Sequence, residues 1–257
     1  MEAECPDCGA YHWKAERLSS SSNRRPKYGT CCLSGKIQLP SLGDTPDELQ
    51  RLLHKDHSVM NHNIRQYNNA LAMTSLGCKI DNSIHDGHGP YVFKVHGALH
   101  HYAGSLIPNQ GVPKKYAQLY IYDSSTDAGV GDRIAAHTAN RNLNQDVMRE
   151  LQNMLYNHHY GVQQYKAAYE LTRNIPANEN CKIALHFNAD TDQRRYNLPT
   201  TDELAVILPG LGDQPEDSRD IVLHLRGGGL TQISEIHPQY WPLHYVLLFP
   251  QGQPGWH

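Results

Sequence analysis

The cysteines place the strongest constraint on this 257-residue chain, because four of its six cysteines lie within the first 32 residues. Cys5 and Cys8 stand in Cys-Pro-Asp-Cys-Gly, and Cys31 and Cys32 are adjacent. Two thiolates separated by two residues can bind one tetrahedral ion from a tight turn, and a second pair returned by the intervening loop can complete a four-sulfur site. The pattern predicts a cysteine-rich, zinc-binding-like module over residues 1–40 in which these four cysteines are the metal ligands.

The second pair departs from the usual zinc-ribbon pattern, in which a second C-x-x-C follows the first after about 15 to 20 residues. Here residues 9–30 intervene and the return is a bare Cys-Cys. Adjacent side chains diverge, so both sulfurs reach one ion only across a kinked backbone, which Gly29 and Gly35 would permit. Three cysteines with one histidine are an alternative ligand set, and reduced cysteines without metal or a disulfide are further alternatives. The candidate histidines are His12, His54 and His57.

The net charge of −3 argues against a polybasic nucleic-acid binder and confines any DNA contact to a local patch. Residues 1–40 carry six lysines and arginines and four acidic residues, an excess of +2 that four thiolates and one divalent ion would cancel. Arg24, Arg25 and Lys27 lie in the polar loop between the cysteine pairs and are the candidate nucleic-acid-binding residues. The alternative is a solvated loop without a ligand.

Capping sequences and apolar stripes predict the helices. Thr45-Pro46-Asp47-Glu48 is a capping-box sequence, with Thr45 at the N-cap, and predicts a helix over residues 46–54. Residues 200–203, Thr-Thr-Asp-Glu, are a second capping-box sequence and predict the start of another helix, whose apolar residues continue as far as Leu208. Three further apolar stripes recur at steps of three and four residues. They are Met60, Ile64, Tyr67 and Leu71, ended by Gly77; Val147, Leu151, Met154 and Leu155; and Val162, Tyr165, Ala168 and Tyr169.

Short apolar or alternating runs predict the strands. Residues 91–106 alternate on both sides of Gly97, which predicts a β-hairpin. The other runs of strand length are residues 117–122, 181–187 and 220–225.

These elements follow one another without a regular βαβ rhythm, which predicts an α+β fold. The expected domains are the cysteine-rich module, a mixed α+β accessory domain with short antiparallel strands over residues 41–226, and a final segment. That segment, residues 227–257, is punctuated by Gly and Pro and predicts a connector rather than a packed end.

Complete catalytic signatures are absent from the sequence. The string nearest to a P-loop, residues 29–37, is one residue too long and lacks the hydroxyl that would hold Mg²⁺, and neither Gly-x-Ser-x-Gly nor His-Glu-x-x-His occurs. A cryptic metal-dependent nuclease that uses His85, Asp86 and His88 is an alternative function. With no apolar run of membrane-spanning length and no signal-peptide pattern at the N-terminus, an intracellular soluble protein is expected.

A collinear series of segments runs through the chain. It comprises Cys5–Trp13, Pro26–Cys32, Gly35–Pro40, Ile64–Ala72, Gly89–Gly97, Tyr116–Asp123, Tyr196–Thr200, Arg219–Leu223, Gly227–Leu230 and Phe249–Pro250. Together these segments resemble the N-terminal zinc-finger-like motif and the pre-replicase segment of Helitron rolling-circle transposon proteins.

The resemblance implies a non-catalytic accessory region that binds nucleic acid or assists assembly in rolling-circle DNA transposition, in the nucleus. Helitron proteins act through an HUH endonuclease, with two histidines separated by one apolar residue, and a helicase; neither signature occurs in this sequence. The implied cofactor is structural zinc. The implied partners are single-stranded DNA and the replicase or helicase part of a full-length transposon protein. An inactive transposon relic is the remaining alternative.

Overall fold

In a computed structural model the chain divides after Asp44 into two compact units, an N-terminal unit of residues 1–44 and a C-terminal unit of residues 45–257. Helices and small antiparallel sheets confirm the predicted α+β class, and the cysteines cluster in the N-terminal unit. The structure describes residues 3–37, 43–54, 58–81, 94–122, 126–136, 138–176, 179–187, 205–208 and 220–255.

The N-terminal unit has little regular structure. Strands β1 (Ala3–Glu4) and β2 (Tyr11–His12) pair antiparallel, and one 3₁₀ turn follows at Lys14–Glu16. Among its described residues, Cys5, Tyr28 and Cys32 form the buried apolar core. Units of this size usually need a disulfide, a metal or a partner to be stable, and all four of its cysteines are free thiols.

The described part of the C-terminal unit contains six α-helices, and three of them confirm the predicted apolar stripes. In α5 (Gln145–His158) the side-chain oxygen of Asn144 accepts hydrogen bonds from the backbone N–H groups of Asp146 and Val147 at 2.9 and 3.1 Å, so this helix has a polar N-cap. The helices are α1 (Asp47–Leu53), α2 (Ser58–Leu71), α3 (Gln118–Tyr122), α4 (Thr126–Ala135), α5 (Gln145–His158) and α6 (Tyr160–Thr172).

The start of α1 differs from the predicted capping box by one residue. Pro46, rather than Thr45, occupies the N-cap position, and no side chain caps the helix. Asp47 and Glu48 nevertheless lie in the first turn, where their charge is favourable to the helix dipole.

Two three-stranded antiparallel sheets complete the C-terminal unit. In one sheet the strand order is β3-β4-β8, and in the other it is β6-β5-β7. The strands are β3 (Ser75–Ile80), β4 (Val95–Ala103), β5 (Lys182–His186), β6 (Ala205–Leu208), β7 (Asp220–His224) and β8 (Thr231–Gln232).

The predicted hairpin at residues 91–106 is wrong, because β4 is one continuous strand that pairs with β3. Gly97 has a positive φ of 78° but does not reverse the chain. Gly77, predicted to stop a helix, lies within β3. A Cβ on Gly77 would come within 2.3 Å of the Tyr102 ring, so the missing side chain makes room for that ring.

Two further element predictions are wrong in type. Residues 118–122 form helix α3 instead of a strand, and Gln118 stabilises its first turn by accepting a hydrogen bond from the backbone N–H of Lys115 at 3.1 Å. Of the predicted helix through Leu208, residues 205–208 form strand β6, whose Ile207 pairs with Ile183 of β5, while its capping box at residues 200–203 lies outside the described residues. In both cases tertiary neighbours override the local pattern.

The final segment also differs from the predicted connector. Ile233, Tyr240, Leu243 and Val246 are buried in the main apolar core together with residues of the helices. Backbone hydrogen bonds join this segment to the rest of the unit, among them those from Met73 N–H to the Leu243 carbonyl at 2.8 Å, from Tyr160 N–H to the carbonyl of Gln251 at 2.9 Å and from Ile233 N–H to the carbonyl of His101 at 2.9 Å.

Arg133 of α4 is fully buried and contacts three other helices. Its Nε donates to Gln152 Oε1 on α5 at 2.8 Å, and its Nη1 donates to the carbonyl of Ala70 on α2 at 2.9 Å. The guanidinium carbon lies 4.1 Å from the ring centroid of Tyr120 on α3. Among the described residues no carboxylate forms an ion pair with this side chain, so its charge is stabilised by dipoles and by an aromatic face.

Replacing Arg133 with Ala should lower the free energy of unfolding by roughly 3 to 5 kcal/mol, because the change opens a cavity and leaves two buried acceptors unpaired. The control is Arg173→Ala, which removes an exposed arginine paired with Glu170 at 2.7 Å and should cost less than about 1 kcal/mol. Urea unfolding measures both values. Equal losses in the two variants would contradict the role assigned to Arg133.

His159, between α5 and α6, gives the stability of the protein a dependence on pH. Its Nδ1 accepts from the N–H of Gly161 at 3.1 Å, and its Nε2 lies 3.3 Å from the carbonyl of Pro242. Burial lowers the pKa of this imidazole from 6.5 to about 4, against the weaker opposing effect of the Pro242 carbonyl.

The unfolded chain therefore binds a proton at higher pH than the folded chain does. We expect the stabilisation from neutral His159 to be complete above pH 6.5 and to decrease as the pH falls towards 4, by roughly 2 to 3 kcal/mol at pH 4.5. Urea unfolding at neutral pH and at pH 4.5 measures the loss, which His159→Asn should reduce because Asn keeps a capping oxygen but does not titrate. Exposed His158→Asn is the control, and identical pH profiles for wild type and His159→Asn would refute the assignment.

Candidate metal centre

The first cysteine pair lies on a tight turn between β1 and β2. The N–H of Cys5 donates to the carbonyl of Ala10 at 2.8 Å, and the N–H of Gly9 donates back to the carbonyl of Cys5 at 2.9 Å. Gly9 has a φ of 74°, a conformation that glycine adopts at little cost. This turn brings Cys8 back beside Cys5.

The second pair is followed by an unusual backbone. Leu33, Ser34 and Gly35 all have positive φ, at 49°, 58° and 81°, and two of them are non-glycine residues for which this conformation costs about 1 kcal/mol or more each. The N–H of Gly35 donates to Cys32 Sγ at 3.1 Å. The backbone kink expected at the Cys31-Cys32 pair is present. It lies after the pair, and Gly29 before the pair does not have a positive φ.

The four cysteine sulfurs converge on one point. The Sγ atoms of Cys5, Cys8, Cys31 and Cys32 all lie within 4.8 Å of one another. The Sγ of Cys32 lies 3.9 Å from that of Cys5 and 3.8 Å from that of Cys31. Sulfurs bound tetrahedrally to one zinc ion at about 2.3 Å would be about 3.8 Å apart. The site therefore has the size of a tetrahedral S₄ centre. Its four cysteines could hold a metal ion.

The cluster is partly shielded from solvent. Cys5 and Cys32 are buried, Cys31 is half-buried and Cys8 is exposed. Burial acts to raise the pKa of the Cys5 thiol, but hydrogen bonds from the backbone N–H groups of Asp7 and Cys8, with smaller contributions from neighbouring thiols, lower it to about 7. One thiolate therefore forms readily at this site near neutral pH.

The other buried thiols resist ionisation while the first is ionised. Burial and the contacts with Cys5, Cys8 and Cys32 raise the pKa of Cys31 to about 12. At Cys32 the Gly35 N–H acts to lower the pKa, but burial and the contacts with Cys8 and Cys5 raise it overall. Four thiolates at this separation need a cation between them, and a divalent metal supplies that charge.

His12 supports the cluster without belonging to it. Its ring stacks on Tyr28 with centroids 4.1 Å apart, and its Nδ1 is 2.8 Å from Glu16 Oε2. Tyr28 in turn packs against Cys5 and Cys32. The residue predicted as an alternative ligand therefore packs behind the sulfur site. Exposed Tyr11, buried His12 and exposed Trp13 alternate along this extended segment, which places the His12 side chain inward.

Among the described residues, no other candidate belongs to the group of possible metal ligands. His54 is an exposed residue of the C-terminal unit, while His57, His85, Asp86 and His88 lie outside the described residues. Arg24, Arg25 and Lys27 are exposed in the loop between the cysteine pairs, where Ser22 and Arg25 form an isolated antiparallel bridge. Within the described ranges, the four cysteines are the one group of three or more metal-ligating side chains.

Comparisons with known proteins give no relatives: no family model, curated protein or solved structure matches this chain. In the part of the chain that the structure describes, no helix is both long and apolar enough to cross a membrane.

Proposed function

We propose that Cys5, Cys8, Cys31 and Cys32 bind one structural zinc ion that holds the N-terminal unit folded. The observation that carries the proposal is the convergence of four sulfurs at tetrahedral spacing. Thiolate ligands favour zinc among the common divalent ions, and a site closed by four protein ligands leaves no position for a substrate or a reactive water. The role of this metal is structural rather than catalytic.

We further propose that the chain is a non-catalytic accessory region of a Helitron-like transposon protein, acting in the nucleus in rolling-circle DNA transposition. The collinear motifs support this proposal, together with a zinc-binding-like module at the place where the resemblance puts one. Single-stranded DNA and the replicase or helicase part of a full-length transposon protein are its proposed partners.

A local basic patch supports DNA contact by the N-terminal unit. The side-chain excess of +2 over residues 1–40 would be cancelled by four thiolates and one zinc ion, so the support comes from where the cations lie and not from net charge. Arg24, Arg25 and Lys27 are exposed on one loop, where they can reach phosphates without the cost of desolvating a buried charge.

Purified protein should contain about one equivalent of zinc. Cys5→Ser/Cys8→Ser should abolish it, whereas Cys78→Ser, which changes a half-buried cysteine of strand β3, should leave it unchanged. Because structural zinc contributes roughly 10 to 16 kcal/mol of apparent binding free energy, chelation should unfold the N-terminal unit. Elemental analysis and limited proteolysis before and after chelation provide the measurements.

Less than half an equivalent of zinc, or the same proteolytic resistance after chelation, would contradict the zinc assignment. One equivalent of iron in place of zinc would retain the four-sulfur site but refute the proposed metal.

The DNA role predicts salt-sensitive binding of single-stranded oligonucleotides. Arg24→Ala/Arg25→Ala/Lys27→Ala should weaken binding and reduce the slope of log K against log salt by about 2, since each lost phosphate contact contributes about 0.7. The control Arg65→Ala/Arg141→Ala/Arg173→Ala removes the same charge from exposed positions of the C-terminal unit and should leave the slope unchanged. Fluorescence polarisation across a salt series provides the measurement.

No binding of wild type at any salt concentration would refute the DNA role and leave only protein partners. An equal reduction of the slope in both triple variants would show that net charge, and not this loop, is responsible.

A further inference from the structure

Tyr11 and Trp13 are two large aromatic side chains that the N-terminal unit leaves in solvent. Their exposed fractions are 64% and 57%, although His12 between them is buried. Tyr11 and His12 form β2, and Trp13 continues with extended φ and ψ of −78° and 143°. Because side chains alternate along an extended chain, the side chains of Tyr11 and Trp13 project from one face of the strand. The side chain of His12, which stacks on Tyr28, projects from the other face.

The spacing of these two side chains suits one flat ring between them. Residues two apart in a strand are separated by about 6.6 Å, at about 3.3 Å per residue. Stacked bases in a nucleic-acid strand are about 3.4 Å apart, so a base inserted between two aromatic rings needs about 6.8 Å from ring to ring. We propose that Tyr11 and Trp13 form a clamp that takes one unpaired nucleobase of a single-stranded nucleic acid.

We take nucleic acid rather than an apolar peptide as the occupant, because the same unit carries three exposed cations on one loop. This loop, with Arg24, Arg25 and Lys27, ends at Tyr28, which stacks on His12 of β2. Two carboxylates flank the clamp, with Glu4 opposite Tyr11 in the strand pair and Glu16 accepting a hydrogen bond from the Trp13 N–H at 3.1 Å. Affinity at the clamp itself therefore depends on stacking, while loop cations supply the phosphate contacts.

The clamp rests on the proposed single-stranded DNA role and adds a preference to it. A base in a duplex is stacked on both sides by its neighbours and cannot enter the clamp unless it is extruded, at a cost of a few kcal/mol. Stacking on an aromatic ring is available to every base, so the clamp selects single strands and not sequences.

The test uses the 257-residue, metal-loaded protein and three probes: a thymidine oligonucleotide, an abasic oligonucleotide of the same length and a duplex. Wild type should bind the thymidine strand more tightly than the other two. Tyr11→Ala/Trp13→Ala should weaken thymidine binding by roughly tenfold to a hundredfold and leave abasic binding unchanged, since the phosphates are the same. Tyr11→Phe/Trp13→Phe should restore thymidine binding, because stacking needs only the ring.

Metal content shows whether the alanine variant is folded, and full occupancy is expected because both side chains are exposed. Equal thymidine affinity of wild type and a metal-loaded alanine variant would overturn the clamp while leaving the DNA role intact. Equal losses on thymidine and abasic strands would also overturn it. Absence of binding to every single-stranded probe by wild type would refute the DNA role itself, and the clamp with it.

Discussion

The N-terminal unit depends on the convergence of four sulfur atoms. Among the described residues of this unit, three side chains form the buried apolar core and two of them are cysteines, so burial of this apolar surface cannot by itself offset the entropy of ordering the chain. The tight turn at Gly9 brings the first cysteine pair to the site. A run of positive φ at Leu33, Ser34 and Gly35 follows the second pair and lets its thiols meet the first. A metal at that point would contribute the stability that the core lacks.

The same constraint explains the surface of the unit. With the sulfurs, Tyr28 and His12 occupying the interior, no inner face remains for Tyr11 and Trp13, and they stand in solvent. Exposed aromatic side chains and exposed cations in one small unit are typical of proteins that bind single-stranded nucleic acid by stacking and by phosphate contacts. The folding requirement and the proposed binding surface are thus two consequences of one small, metal-centred architecture.

The C-terminal unit is organised differently, around a large apolar core in which polar side chains join the elements. Arg133 joins α4 to α2, α3 and α5 within the apolar interior. His101 likewise lies stacked between Tyr240 and His244, with ring centroids 4.0 and 4.2 Å away, and so joins β4 to the final segment. Each depends on partners that are distant in the sequence.

The candidate site could largely be predicted from sequence, because thiolate spacing is a local property. All four cysteines come together as predicted, but the kink lies at Leu33 and Ser34, two residues with no intrinsic preference for positive φ. His12 was a reasonable ligand candidate from its spacing alone. Only its stacking on Tyr28 and its bond to Glu16 show that it supports the site from behind.

The amino-acid sequence by itself determined the α+β class, the cysteine set, helices α2, α5 and α6, and strands β5 and β7, since each has a local period or spacing. Tertiary structure decided that β4 runs on through Gly97, that residues 118–122 are helical, and that Gly- and Pro-rich residues 227–255 pack into the core. The physical reason is that strand pairing and burial depend on neighbours far along the chain. A local pattern records the preferences of a segment but not the surface that the segment meets.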